Sequence, residues 1–218
     1  MRHPTPETPP NSHRLSLPSP TRVVVLVSGA GSLLQALIDT AARSGFPADV
    51  VAVGSDRHDI EGLVRAERAG IPTFTHRLKD YPDRAAWDRD LTASCAAHQP
   101  DPIISAGFMK LVGATFLASF GGRYLNTHPA LLPAFPGMHA PRDALEHGVK
   151  IAGCTLFVVD AGIDSGPILA QRAVEVRPDD DETSLHERIK TQERQMLIDT
   201  IHDLVRHGIQ WQARTATH

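Results

Sequence analysis

The sequence predicts an α/β fold: a doubly wound, mostly parallel sheet with an added antiparallel hairpin. Three observations carry that expectation. Short β-branched runs end at glycine-rich turns, as strands buried on both faces of a parallel sheet do. Segments with apolar residues at helical spacing follow them, and strand–helix alternation at this spacing implies right-handed crossovers. Two late strand-like runs are joined only by a short turn, which implies an antiparallel pair and hence a mixed sheet.

The elements follow in order. Arg22-Val23-Val24-Val25-Leu26-Val27 is the first strand of the rhythm, stopped by Ser28-Gly29-Ala30-Gly31-Ser32. Leu33, Leu34, Leu37 and Ile38 then form one helical stripe. Val50-Val51-Ala52-Val53 repeats the strand pattern, and a helix around 60–69 is closed by Gly70 and halted by Pro72. Residues 72–75 read as a short third strand, 83–98 as a longer amphipathic helix, and 102–106 as a fourth strand. A fifth strand over 123–126 leads into a proline-rich loop over 128–141. Residues 152–159 and 167–176 are the two hairpin strands, and a final helix spans about 182–206, its acidic first turn matching the helix dipole.

Composition bounds the function. In 218 residues, 41% are apolar before the 16 glycines are added, enough for a sizeable core. A net charge of −3 leaves no basic excess to hold a nucleic-acid backbone. Cys95 and Cys154 are too few for a disulfide framework or a cysteine zinc site. No apolar run approaches the ~20 residues of a membrane span. The expectation is a cytoplasmic protein acting on small molecules, with no nucleic-acid or membrane partner and no metal. Six of the 17 prolines fall in the first twenty residues, without apolar periodicity. Residues 1–20 therefore read as a flexible Pro-rich extension, 21–208 as a single domain, and 209–218 as a short polar tail.

Three segments carry chemistry. The turn at Gly29, Gly31 and Ser32 lets backbone approach a ligand at a helix N-terminus, where an anion fits. A dinucleotide fingerprint needs a third glycine where Leu34 stands, although Asp56 at the end of the second strand imitates a ribose-binding acid. Small phosphate, dinucleotide and a turn that binds nothing all stay open on these residues alone. Asn126 and His128 alternate at the carboxyl end of a strand, so their side chains point the same way. Asn offers an amide to a developing oxyanion, and His donates, accepts or shuttles a proton. The turn holding Asp160, Ala161, Gly162, Ile163 and Asp164 is ordinary by composition, yet it brings two carboxylates within range of an imidazole.

With its Asn126-Thr127-His128-Pro129-Ala130-Leu131-Leu132-Pro133 segment, the chain resembles the formyltransferase family that uses 10-formyltetrahydrofolate, over about residues 22–206. The resemblance implies a Rossmann-like formyltransferase fold, with the substrate phosphate site in the N-terminal half and the folate site in the C-terminal half. It implies transfer of a formyl group from N10 of the folate cosubstrate to the primary amine of glycinamide ribonucleotide. Catalysis is implied for Asn126, His128 and Asp164, with Asn126 and protonated His128 binding the oxyanion and Asp164 holding His128. Substrate contacts are implied for Gly31, Ser32, Leu33, Arg84 and Glu193, with Arg84 and the Gly31–Leu33 turn holding the substrate's phosphate or its neighbouring groups. Folate contacts are implied for Met109, Lys110, Leu111 and Val112, with Asp160, Ala161, Gly162 and Ile163 closing over the pterin. A cis Leu132–Pro133 bond is implied as well. Leu33 departs from an Asn, and Pro141 from a His, in the family pattern. A homodimer is left open. The rival readings are a formyltetrahydrofolate hydrolase or another folate-dependent formyltransferase, and, more distantly, a nicotinamide-dependent oxidoreductase resting on Gly29, Gly31 and Asp56.

Overall fold

The computed structural model describes residues 12–212. Its central sheet has seven strands: β2 (Thr21–Val27), β3 (Ala48–Ser55), β4 (Thr73–Thr75), β5 (Ile103–Ser105), β6 (Tyr124–His128), β7 (Ile151–Val158) and β8 (Ile168–Glu175). The spatial order is β4-β3-β2-β5-β6-β7-β8. The pairs from β4 to β6 are parallel, and β7 and β8 are antiparallel additions at the β6 edge. Strand order reverses beside β2, the kind of switch point where open α/β sheets bind ligands.

The valine run of β2 explains its place in the middle. Val23, Val25 and Val27 face one layer, built from α1 (Ser32–Ala41), α2 (Glu61–Arg68) and α6 (Glu182–Arg206). Val24 and Leu26 face the other, built from α3 (Arg84–Ala97) and α4 (Ala114–Phe120) around Trp87, Leu91, Phe116 and Phe120. Residues alternate across a strand, so an all-apolar strand needs cover on both sides. α6 begins on a capping box: the Asp181 carboxylate accepts from the Ser184 N–H at 2.7 Å, and the Ser184 hydroxyl accepts from the Asp181 N–H at 3.0 Å.

The structure differs from the sequence expectation at both ends. Residues 12–20 are not a loose extension. Ser12–Leu15 forms β1, paired antiparallel with β9 (Ile209–Gln212), the stretch expected to be a tail. Leu15 lies opposite Ile209, the Arg14 guanidinium donates to the His207 carbonyl at 2.6 Å, and Leu17 is buried with its N–H on the Leu204 carbonyl. Each strand offers the other its ladder bonds, and a partner at the far end of the chain leaves no local periodicity to read. Residues 1–11 and 213–218 of the expected extension and tail lie outside the described residues. Two short helices were also not expected: α4, and α5 (Ala140–Glu146), which starts inside the proline-rich segment with Pro141 in its first turn, where proline is tolerated. Among the described residues, no helix is long and apolar enough to cross a membrane.

Candidate active site

The pleat of β6 sorts its end into two faces. Asn126 and His128 share the side of Tyr124, toward α3 and α4, and Thr127 points the other way, where its side chain hydrogen-bonds Glu193 of α6. Among the described residues, the half-buried Asn126 amide has no side-chain hydrogen bond, so its donors are free. His128 is buried at 4% exposure. Its Nε2 lies 2.7 Å from the Phe135 carbonyl, and a carbonyl only accepts, so Nε2 carries the proton. Nδ1 faces the Asp164 carboxylate at 3.5 Å. This refines the sequence reading: one ring nitrogen is already spent on the backbone, and Nδ1 is the atom left for chemistry.

Two loops hold that pair. The loop after β6 is pinned to the hairpin: the Leu132 N–H donates to Thr155 Oγ1 at 3.0 Å, that hydroxyl donates to the Ala130 carbonyl at 2.7 Å, and Gln171 Nε2 donates to the Leu132 carbonyl at 2.9 Å. The Leu132–Pro133 bond is cis, as the resemblance implies. The Gly137 N–H donates to Asp164 Oδ2 at 2.8 Å, joining this loop to the 160–165 turn. Within the turn, Asp160 Oδ1 accepts from the Gly162 N–H at 3.0 Å and from Ser165 Oγ at 2.8 Å. Asp164 itself sits at φ 50°, a left-handed conformation that costs a non-glycine residue about 1–3 kcal/mol and recurs at functional sites.

The segment after β5 is anchored by two buried carboxylates. Asp56 accepts from Ser28 Oγ at 2.5 Å, Ser28 Oγ in turn accepts from the Met109 N–H at 2.8 Å, and Lys110 Nζ stands 3.8 Å from Asp56. Asp88 of α3 accepts from the N–H groups of Gly113, Thr115 and Phe116 at 2.5, 2.9 and 3.2 Å, capping α4 from a neighbouring helix. Sequence reasoning missed both roles. The available signal was an Asp at a core position of the α3 stripe, between Trp87 and Leu91. Among the described residues, Met109, Leu111, Met138 and Ile163 are four of the five large apolar side chains left exposed, at 57, 59, 80 and 62%. They sit on this segment, the end of the loop after β6, and the 160–165 turn. Clustered apolar exposure of that kind marks a ligand surface. A cavity of about 610 Å³ adjoins the turn, lined by Leu117, Val159, Asp160 and Ala161, with His13 and Trp211 of the β1–β9 pair at its wall. Asn126 and His128 do not line it.

The phosphate-type turn lies on the opposite layer. Gly31 caps α1 at φ 68°, and a Cβ there would stand 2.8 Å from the Gly62 Cα. Among the described residues, no side chain caps α1 and no acid occupies its first turn, so its leading N–H groups are left without a partner there. Ser32 opens the helix, while Leu33 and Leu34 are buried in the core. Asp56, which stood in for a ribose-binding acid, is tied to Ser28 and Lys110, so the dinucleotide reading loses that support.

Arg84 lies at the start of α3. It stands exposed at the first position of α3, its guanidinium 5.8 Å from the centre of the Trp87 ring, which stacks on Phe108 at 6.5 Å. Its helix packs on the same core layer as Phe108, the face opposite the one that α1 covers. Glu193 is buried at the end of β6, and burial pushes its carboxyl up to about 7. Among the described residues, no group of three or more His, Cys, Asp or Glu side chains is placed to share a metal ion.

The fold and this loop arrangement define a class, and comparison with known proteins defines the same one. A family model described as formyl transferase matches residues 21–201, and the chain belongs to that family. It is 55% identical over 199 residues to the phosphoribosylglycinamide formyltransferase of Mycobacterium tuberculosis, covering 91% of this chain and 92% of that one. Against the enzyme of the same name from Escherichia coli, identity is 40% over 171 residues, covering 78% and 81%. Among solved structures, glycinamide ribonucleotide transformylase 1 from Symbiobacterium toebii superimposes with a TM-score of 0.81 at 45% identity, covering 83% of this chain and 85% of that one. The phosphoribosylglycinamide formyltransferase of Brucella melitensis gives 0.80 at 42%, covering 84% and 94%.

Proposed function

We propose that this chain transfers the formyl group of 10-formyltetrahydrofolate to the primary amine of glycinamide ribonucleotide, a step of purine synthesis carried out in the cytoplasm. The observation that carries the reading is the end of β6. A free Asn126 amide stands two residues from a His128 whose tautomer is set by Phe135 and whose Nδ1 faces Asp164. That arrangement suits direct acyl transfer, because the Asn126 amide and, once the ring is doubly protonated, His128 Nδ1–H offer donors to a developing oxyanion.

The amine nitrogen bonds to the formyl carbon, and the carbonyl oxygen gains charge. Asn126 Nδ2–H and His128 Nδ1–H donate to that oxygen. The bond from carbon to N10 then breaks, N10 takes a proton, and the attacking nitrogen loses one. Asp164 offsets the positive charge of the imidazole while both ring nitrogens are protonated. The Gly137 N–H keeps the carboxylate aimed at the ring rather than at solvent.

The folate lies against the exposed apolar groups Met109, Leu111 and Ile163, with Lys110, Val112 and the 160–163 backbone as further contacts. Arg84, on the same layer, serves the folate side. The ribonucleotide phosphate takes the α1 N-terminus at Gly31, Ser32 and the Leu33 N–H, and Glu193 receives the glycinamide end. The test is to supply both substrates and follow folate deformylation with and without the amine. Turnover that depends on the amine supports the transferase. Equal turnover without it makes the protein a hydrolase, and none in either case ends the reading.

A further inference from the structure

The α1 N-terminus of this chain lacks a side-chain donor beyond Ser32, because Leu33 turns into the core. Beside it lies a cavity of about 280 Å³ lined by Ser32, Gln35, Ala36, Asp39, Arg65 and Arg194, drawn from α1, α2 and α6. Two arginines from separate helices thus line the cavity beside the turn. Arg65 is held in place: its Nε donates to the Ala30 carbonyl at 2.9 Å and its NH1 to Gln35 Oε1 at 3.0 Å, with Glu61 3.8 Å from Nε. Arg194 is half-buried, and among the described residues its side chain hydrogen-bonds Thr191 Oγ1 alone, at 3.1 Å. Among the described residues no carboxylate reaches ion-pair distance of it, whereas Lys190 nearby is neutralised by Glu187 at 2.7 Å. The one acid in the cavity, Asp39, is exposed and occupied by the Gln35 amide at 2.7 Å. A half-buried guanidinium without an acid partner, beside unpaired helix N–H groups, is the donor set of a bidentate phosphate clamp.

We propose that Arg194, with Arg65 behind it, binds the phosphate of the acceptor where Leu33 offers no side-chain donor. This rests on the acceptor being a phosphorylated sugar, as in the function proposed above. Arg194 is the residue to test, since Arg65 also supports the Ala30 carbonyl. Steady-state kinetics compare the wild type, Arg194→Gln and Arg194→Lys on glycinamide ribonucleotide and on its dephosphorylated ribonucleoside. The expected result is that Arg194→Gln raises KM for the ribonucleotide about tenfold or more, the order expected for a lost charge-assisted pair. The KM for folate, the KM for the ribonucleoside and kcat should hold within about twofold, and Arg194→Lys should recover part of the loss. An unchanged ribonucleotide KM in an enzyme that turns it over overturns the role of Arg194. Should the wild type formylate neither acceptor, the function fails instead, and inorganic phosphate decides the site separately. Protection from thermal unfolding by phosphate that Arg194→Gln removes supports the clamp; no protection of the wild type, or equal protection of both, overturns it.

Discussion

The turn at 28–32 and the loops at 129–137 and 160–165 both shape the candidate site, but they are built from different materials. The first presents backbone: α1 offers its N–H groups, Gly31 makes room for the close approach to Gly62, and Leu33 serves the core. The second presents side chains, and its backbone is used to aim them, with the Phe135 carbonyl on His128 and the Gly137 N–H on Asp164. A backbone site tolerates changes of side chain as long as its glycines stay. A side-chain site fails with any one member, because each donor or acceptor has a single task.

The sharpest way to break that comparison is at the side-chain site. Asn126→Ala, His128→Ala and Asp164→Ala should each lower kcat by about 10²–10³, measured at a temperature where each variant remains folded. A His128 variant with near-normal turnover would remove the side-chain site from the chemistry. The backbone site should show the opposite pattern. Gly31→Ala, forced to hold φ 68° against Gly62, should lose roughly 2–3 kcal/mol of stability and raise the ribonucleotide KM, with kcat little changed. Denaturant titration and kinetics on one preparation separate the two.

Between the two regions, Glu193 gives a pH signature. Its carboxyl is raised to about 7 by burial, so the folded state binds a proton that the unfolded state releases from about pH 4.5 upward. That contribution to stability is complete below the unfolded value and is lost as pH rises through about 7. Unfolding free energies at pH 5, 6, 7 and 8 should therefore fall for the wild type by about 2–3 kcal/mol relative to Glu193→Gln. Parallel curves for the two proteins would show that Glu193 is not the buried acid. The smallest effect is expected at Arg84, which is exposed: Arg84→Ala should raise the folate KM several-fold and more than the ribonucleotide KM. The reverse order would return Arg84 to the phosphate side.

Much of this was legible in the chain. The β2 and β3 runs, the glycine turn before α1, and α6 with its acidic start declare themselves locally, and the structure keeps them within a residue or two. The Asn126 and His128 pairing was legible because strand alternation is a local rule. What escaped was non-local. The cap on α4 comes from Asp88, some 25 residues upstream in another helix, so α4 carries no start signal of its own. β1 and β9 are four-residue strands whose partners lie at opposite ends of the chain. The layer that α3 joins was not legible either, because spacing says which residues line a helix face while packing decides which side of the sheet the helix covers. The constraint on His128 Nε2 comes from a carbonyl seven residues on, brought back by the turn of the proline loop.

The stack of Trp87 on Phe108 has an optical consequence. Trp87 is fully buried, its indole N–H donates to the His76 carbonyl at 2.8 Å, and its ring rests on the residue just before Met109. The chain has one other tryptophan, Trp211, half-exposed and stacked on His13 at the wall of the larger cavity. The protein therefore carries two tryptophan fluorophores in different surroundings: a blue-shifted one wired to the 107–112 segment and a redder one beside the 160–165 turn. Folate arriving between those segments should perturb the blue component first, and ribonucleotide arriving at α1, on the opposite layer, should leave both emission bands nearly as they were.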